Sequence, residues 1–166
     1  MRVLAIILII ILSPILLGVS FVLLIFAKGK VIFKQKRVGK DKIEIIIFKF
    51  RTMTNNKVTP FGRILRKTGI DELPQLFNIV KGNMAFVGPR PLTQSDIDRL
   101  EWNDEKFSNR WSVKPGITGT AQLVTVCDKN LSMREDLNYI ANKSFKLDIK
   151  ILLKSMLVPF VGKGAV

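Results

Sequence analysis

The sequence predicts a mixed α/β, monotopic membrane protein with an N-terminal re-entrant helix broken at Ser13-Pro14, short strands and amphipathic surface helices. Three observations predict this. Residues 3–27 carry no charge, yet a Ser-Pro pair interrupts them near the middle. Over residues 31–53, β-branched and aromatic runs flank a short basic turn. Two later segments, 59–69 and 145–157, place apolar and basic residues at helical spacing.

As one helix, residues 3–27 would reach roughly 37 Å, more than the ~30 Å hydrocarbon core of a bilayer. The run is too long for a secretory signal peptide, and no small-x-small cleavage site follows it. A simple spanning helix is the competing reading. Against it stands Pro14, which removes a backbone hydrogen bond and kinks a helix, while the Ser13 hydroxyl can satisfy the freed carbonyl. Each half is about half a bilayer long, so the segment can enter and turn back. Lys28, Lys30, Lys34, Lys36 and Arg37 follow, which keeps that end cytoplasmic. The expected division is a membrane segment, residues 1–27, and a cytoplasmic-face domain with interfacial helices, residues 28–166.

Val31-Ile32-Phe33 and Ile45-Ile46-Ile47-Phe48 read as strands around a turn at 38–42. Lys49 and Arg51 alternate with Phe48 and Phe50, so one strand face is basic. It is either a solvated outer face or a wall facing phosphate. Residues 59–69 read as a helix capped by Thr59, with Pro60 in its first position and Gly69 at its end. Phe61, Ile64 and Leu65 form its apolar stripe; Arg63, Arg66 and Lys67 form its basic one, suited to anionic lipid or to ordinary core packing. A second helix is expected to begin at or just after Asp71, because Pro74 is tolerated only in a first turn.

Residues 82–92 read as a turn, a short strand and a rigid loop in which Pro89 and Pro91 restrain Arg90. Such an arginine suits bidentate phosphate binding, or simply occupies a surface turn. Trp102, Phe107 and Trp111 are spaced as one helical face or as interfacial anchors. Residues 113–122 read as a Gly/Thr-rich loop of the kind that lets backbone N–H groups approach phosphate. A helix is expected over 131–142, bearing Glu135, Asp136 and Tyr139. In the last stretch Lys146, Lys150 and Lys154 recur beside apolar residues as a basic amphipathic helix, which Pro159 ends or kinks.

Charge narrows the chemistry. The net charge is +14, and the first 95 residues hold sixteen Lys and Arg against four carboxylates: Asp41, Glu44, Asp71 and Glu72. So basic a segment implies an anionic partner: lipid headgroups, nucleic acid or a phosphorylated substrate. The chain has no histidine, which removes His-based triads, histidine zinc sites and histidine general bases. The lone Cys127 excludes an internal disulfide. Asp71-Glu72 is the acidic exception in the basic segment. At a helix N-terminus it is either a cap or a functional pair.

Taken together and in order, several stretches resemble one family. They are the apolar anchor with its Ser-Pro, Phe33-Lys-Gln-Lys-Arg-Val-Gly39, Phe48-Lys-Phe-Arg-Thr-Met53, Asp71-Glu-Leu-Pro-Gln-Leu-Phe-Asn78, Lys81-Gly-Asn-Met-Ala-Phe-Val-Gly-Pro-Arg-Pro-Leu92 and Lys114-Pro-Gly-Ile-Thr-Gly-Thr-Ala-Gln122. The set resembles the bacterial sugar transferases, small monotopic polyprenyl-phosphate phosphoglycosyl transferases. The resemblance implies transfer of a sugar 1-phosphate from a nucleotide-diphosphate sugar, usually a UDP-sugar, to undecaprenyl phosphate, with release of UMP. It implies magnesium, an aspartyl–phosphosugar intermediate at Asp71, and Glu72 as its partner in metal binding or acid–base work. Arg90, Lys49, Arg51, Lys114 and Gln122 are the expected phosphate- and substrate-binding residues. The implied location is the cytoplasmic face of a bacterial inner membrane, with membrane lipids as partners and no nucleic acid.

The chain departs from the family pattern in two places. It begins almost inside the membrane segment, so the native start is expected upstream or insertion differs. After Gln122 the family's usual Val-Asn-Gly-Arg-Asn is replaced by Leu-Val-Thr-Val-Cys-Asp-Lys-Asn, which bears on donor recognition. A degenerate, non-catalytic scaffold on the membrane surface is the alternative reading.

Overall fold

The computed structural model describes residues 1–26, 30–123 and 128–161. The chain divides into two units, each discontinuous in sequence. One holds Met1–Gln35 and Ile46–Gly82; the other holds Lys36–Ile45 and the chain from Asn83 onward.

In the first unit, α1 (Arg2–Ile11) and α2 (Ser13–Phe26) meet at a 63° bend. Pro14 has no N–H for the carbonyl of Ile10, and the Ser13 hydroxyl donates to that carbonyl instead, at 2.7 Å. The break therefore falls where the Ser-Pro pair predicts it. Among the described residues no single helix is long and apolar enough to cross a membrane. Much of the apolar surface of α1 and α2 is exposed, including Ile6, Ile10, Ile11, Leu17, Phe21 and Ile25. Ala5 is buried, and α1 packs against α4 (Leu76–Lys81).

Strands β1 (Ile32–Val38) and β2 (Glu44–Phe50) pair as a two-stranded sheet, as the alternation predicts. Short strands β3 (Met53–Thr54) and β4 (Lys57–Val58) form a tight antiparallel pair. Helix α3 (Pro60–Thr68) carries the expected punctuation. The Thr59 hydroxyl accepts from the Gly62 amide at 2.9 Å, and Gly69 closes the helix in the left-handed region at φ 72°. Phe50 and Leu65 join Val19 and Leu23 in the core, with Phe61 packed against them. Ile64 does not belong to the inward stripe; it is exposed beside the basic residues.

In the second unit, β5 (Ala85–Val87) and β6 (Gly116–Thr118) run parallel, in the register Ala85 to Gly116 and Val87 to Thr118. The Gly/Thr-rich stretch is thus partly strand rather than open loop. Its glycines serve backbone packing: a Cβ on Gly116 or Gly119 would overlap the backbone of Gly88. Helix α5 (Gln94–Leu100) begins with a capping box in which Thr93 and Asp96 satisfy each other's amides. A 3₁₀ segment, Glu105–Trp111, follows. Trp102, Trp111, Ile97 and Met133 form the core of this unit, with Phe107 against it. The tryptophans are buried, so they are not interfacial anchors. Helices α6 (Thr120–Leu123), α7 (Lys129–Ala141) and α8 (Phe145–Val161) complete it. α8 runs past Pro159. It exposes Phe145, Ile149 and Leu153 alongside Lys146, Lys150 and Lys154, and buries Ile151.

Candidate active site

The site in the first unit is assembled from β2, α3 and the segment that follows α3. Asp71 and Glu72 do not begin an α-helix. They lie in a 3₁₀ helix, Ile70–Gln75, that precedes α4. Pro74 is the reason: it is buried inside that tight turn, and α-helical geometry starts only at Leu76. The α-helix expected to begin at or just after Asp71 therefore begins later, and neither N-cap position, Gly69 of the 3₁₀ helix or Gln75 of α4, is Asp71.

One residue of the same motif aligns the strand. Asn78, fully buried, accepts from the Phe48 amide at 3.1 Å and donates to the Ile46 carbonyl at 2.6 Å. A side chain here completes backbone bonding of β2. In this register Phe50 enters the core and Lys49 reaches Glu72, with Nζ 2.5 Å from Oε1 and both side chains largely buried. The basic face at Lys49 is therefore not a solvated outer face.

Arg66 lies on the exposed basic stripe of α3, and its Nε donates to the buried Thr52 hydroxyl at 2.9 Å. The approach is possible because α3 meets Thr52 at Gly62, where a Cβ would overlap the Thr52 carbonyl. That mid-helix glycine, four residues before Arg66, was the available sequence signal.

Asp71 is 8 % exposed. Burial is the largest influence on its carboxyl and pushes it above the usual carboxylate range; the Glu72 charge adds to this, while Lys49 and Arg66 oppose it. An acidic pair, one member buried and the other ion-paired, faces two cations. Such a carboxylate can act as a nucleophile towards an electrophilic phosphorus, and the cations can take up charge on phosphoryl oxygens. Arg51 is half-buried, and its Nε has no hydrogen-bond partner among the described residues.

The other expected site residues belong to the second unit. Arg90 is exposed on its proline-flanked loop, and its carbonyl accepts from Arg110 Nη2 at 2.8 Å. Lys114 is exposed. Gln122 is half-buried; its Nε2 donates to the Ile117 carbonyl at 3.3 Å, and its Oε1 is buried without a partner among the described residues. Sequence reading missed the buried pair Arg110–Asp136, at 2.9 Å. Twenty-six residues separate the two, and nothing in the local pattern joins them. Of the divergent stretch after Gln122, residues 124–127, including Cys127, lie outside the described residues.

Comparison with known proteins agrees with these motifs. The family model for bacterial sugar transferases matches residues 2–162. A UDP-N-acetylgalactosamine-undecaprenyl-phosphate N-acetylgalactosaminephosphotransferase of Aeromonas hydrophila is 35% identical over 172 residues, which cover 92% of this chain and 41% of the relative. A UDP-glucose:undecaprenyl-phosphate glucose-1-phosphate transferase of Klebsiella pneumoniae is 37% identical over 177 residues, 94% of this chain and 38% of that relative. An uncharacterized sugar transferase of Bacillus subtilis is 40% identical over 150 residues, 81% of this chain and 72% of the relative. The chain thus spans about two fifths of the length of the first two relatives. With nearly its whole length matched by the family model, and Asp71-Glu72 held among cations inside that match, the chain belongs to the bacterial sugar transferase family.

Proposed function

We propose that this chain transfers a sugar 1-phosphate from a UDP-sugar to undecaprenyl phosphate and releases UMP. The observation that carries the reading is the buried Asp71 beside the Glu72–Lys49 ion pair, within a chain matched to the family from residue 2 to 162. In the first step a carboxylate oxygen of Asp71 attacks the sugar-bearing phosphorus. The bond from that phosphorus to the bridging oxygen breaks, and its electrons leave with UMP. In the second step an oxygen of the lipid phosphate attacks the same phosphorus, the aspartyl–phosphorus bond breaks, and Asp71 returns to a carboxylate. Lys49 and Arg66 keep Asp71 more ionised than burial alone would allow. Glu72 positions Lys49 and accepts a proton or shares a cation. Arg90, Arg51, Lys114 and Gln122 are proposed to bind the donor.

Magnesium fits this donor set in kind. It prefers hard oxygens and takes one or two carboxylates beside substrate phosphates. Asp71 and Glu72 offer such a pair, and no group of three or more acidic or cysteine ligands occurs among the described residues. When bound, magnesium would offset charge on the donor diphosphate.

We place the protein at the cytoplasmic face of a bacterial inner membrane, with α1 and α2 re-entrant. Several observations support this. The α1–α2 pair is uncharged after Arg2 and bent, with its apolar side chains exposed. The Arg2 guanidinium lies against Gly82, at the end of α4. In water each such large apolar side chain would forgo about 1.5–3 kcal/mol available from burial.

The test is UMP release from a panel of UDP-sugars with undecaprenyl phosphate. Turnover is expected with at least one donor, with loss in Asp71→Asn while membrane association persists. Full turnover in Asp71→Asn would sink the assigned mechanism, and no release from any donor would favour a non-catalytic scaffold.

A further inference from the structure

The backbone of residues 89–92 has little means of holding itself. Two of its four residues are prolines without an N–H, so a local turn ladder is not available to it. Yet all four consecutive carbonyls are taken. That of Pro89 accepts from the Gly116 amide at 3.0 Å, and that of Leu92 from the Val38 amide at 2.8 Å. The two between them, flanking the Arg90 side chain, are held by guanidinium groups. Arg110 Nη2 donates to the Arg90 carbonyl at 2.8 Å, and Arg37 Nη1 to the Pro91 carbonyl at 3.2 Å.

Both guanidinium groups are themselves fixed. Arg110 is 3 % exposed, donates from Nε to Asp136, and lies over Trp111 and Trp102 at 4.6 and 5.1 Å from the ring centres. Arg37 Nη1 also reaches Asp96 at 3.3 Å, and Asp96 is held by the α5 capping box. A buried ion pair is a poor way to gain stability, because desolvation offsets most of its attraction and apolar residues of similar volume would do as well. What Arg110 does that an apolar residue cannot is reach out of the core to one carbonyl.

We infer that Arg110 and Arg37 are positioning residues, which clamp the backbone on either side of Arg90 so that its guanidinium meets the donor's phosphate in a single orientation. Neither touches substrate in this scheme. The inference rests on the transferase reading in one respect only, that Arg90 receives a phosphate of the donor. Lysine cannot replace Arg110, since one ammonium cannot serve Asp136 and the carbonyl in the planar fork geometry.

The experiment is a double-substitution cycle on the full chain in detergent micelles. UDP affinity is read by calorimetry, and kcat/KM by UMP release from a UDP-sugar. Arg110→Lys is expected to weaken UDP binding about tenfold and to lower kcat/KM by a similar factor or more, the scale expected for a misplaced binding group. In an Arg90→Ala background the same substitution should change either quantity less than about twofold, because the residue it positions is gone. Arg37→Gln should repeat the pattern, and it decides the matter if Arg110→Lys does not fold. A loss of equal size in both backgrounds, or no loss with Arg90 intact, overturns the inference. The cycle holding for UDP without UMP release from any donor sinks the transferase reading and leaves the positioning role. Failure of the wild-type chain to bind UDP overturns both.

Discussion

Replacing Gly62 by alanine tests how closely α3 must lie on Thr52. A Cβ at residue 62 would overlap the Thr52 carbonyl oxygen and stand 2.8 Å from both its carbonyl carbon and its Cα. These are backbone atoms, so no side-chain rotation relieves the overlap. Restoring ordinary carbon–carbon contact, at ~3.5 Å, alone moves α3 away by roughly 0.7 Å, and relieving the overlap with the carbonyl oxygen takes about 1 Å. That motion stretches two bonds that hold the helix to residue 52: Arg66 Nε to the Thr52 hydroxyl at 2.9 Å, and the Thr59 amide to the Thr52 carbonyl at 3.0 Å. Overpacking costs about 1–3 kcal/mol, and a weakened hydrogen bond about 1 kcal/mol. The better helix propensity of alanine offsets about 1 kcal/mol. The net loss is about 1–3 kcal/mol, a fall in Tm of roughly 2–12 °C for a chain of this size. Thermal unfolding followed by near-ultraviolet circular dichroism in micelles measures it. Gly18→Ala is the control, because nothing lies within 4 Å of a Cβ there; it should leave Tm unchanged or higher. Equal Tm values for Gly62→Ala and wild type would refute the close approach.

Three further outcomes follow from the site and its supports. Asp71 titrates above its ordinary value because of burial, so its contribution to stability is fully present below about pH 4 and is lost as pH rises through the raised folded value. Asp71→Asn should therefore raise Tm at pH 7 and give no gain near pH 4; a gain of the same size at both would contradict it. The Glu72 charge raises Asp71 and the Lys49 charge lowers it. In residual turnover the acid limb of kcat/KM should accordingly move to lower pH in Glu72→Gln and to higher pH in Lys49→Met, each with a loss in kcat of about a hundredfold or more; shifts of the opposite sign would exclude Asp71 as the titrating group. Asp136→Asn leaves Arg110 buried without its carboxylate, and should cost about 3–5 kcal/mol in denaturant unfolding; a cost below about 1 kcal/mol would mean that the guanidinium finds water.

Local signals in the sequence were reliable where the physics is local. Pro14 placed the helix break because a missing N–H has one consequence wherever it occurs, and Thr59, Pro60 and Gly69 bounded α3 for the same kind of reason. The sequence says less where a distant partner decides the outcome. Arg66 sits on the exposed basic stripe that its spacing predicts, but the Thr52 hydroxyl it reaches lies fourteen positions away and is brought to it by Gly62. Trp102 and Trp111 have the spacing of one helical face or of interfacial anchors, and packing with Ile97 and Met133, from distant parts of the sequence, makes them core. Asp71-Glu72 was legible as a chemical pair and not as a conformation, since Pro74 favours a tight turn whose length only the packing of residues 70–75 determines. In the first unit the Asp71-Glu72 pair and the basic strand residue Lys49 stand out in the sequence; in the second, nothing local joins Arg110 to Asp136.

The division of the chain into two interleaved units constrains its synthesis. Neither unit is a continuous stretch: Lys36–Ile45 is grouped with the chain from Asn83 onward, although Ile46–Gly82 intervenes. During translation the turn between β1 and β2 emerges early, yet residues it is grouped with, such as Leu92, emerge about fifty positions later. The first unit likewise cannot close around Asp71 until α4 and Gly82 have left the ribosome. No single cut separates the units, so a truncation after Gly82 would carry Val38 and Gly39 without the Leu92 backbone that pairs with Val38. Nascent chains shorter than that should be sensitive to protease at residues 36–45, and protection there should arise together with folding of the later segment.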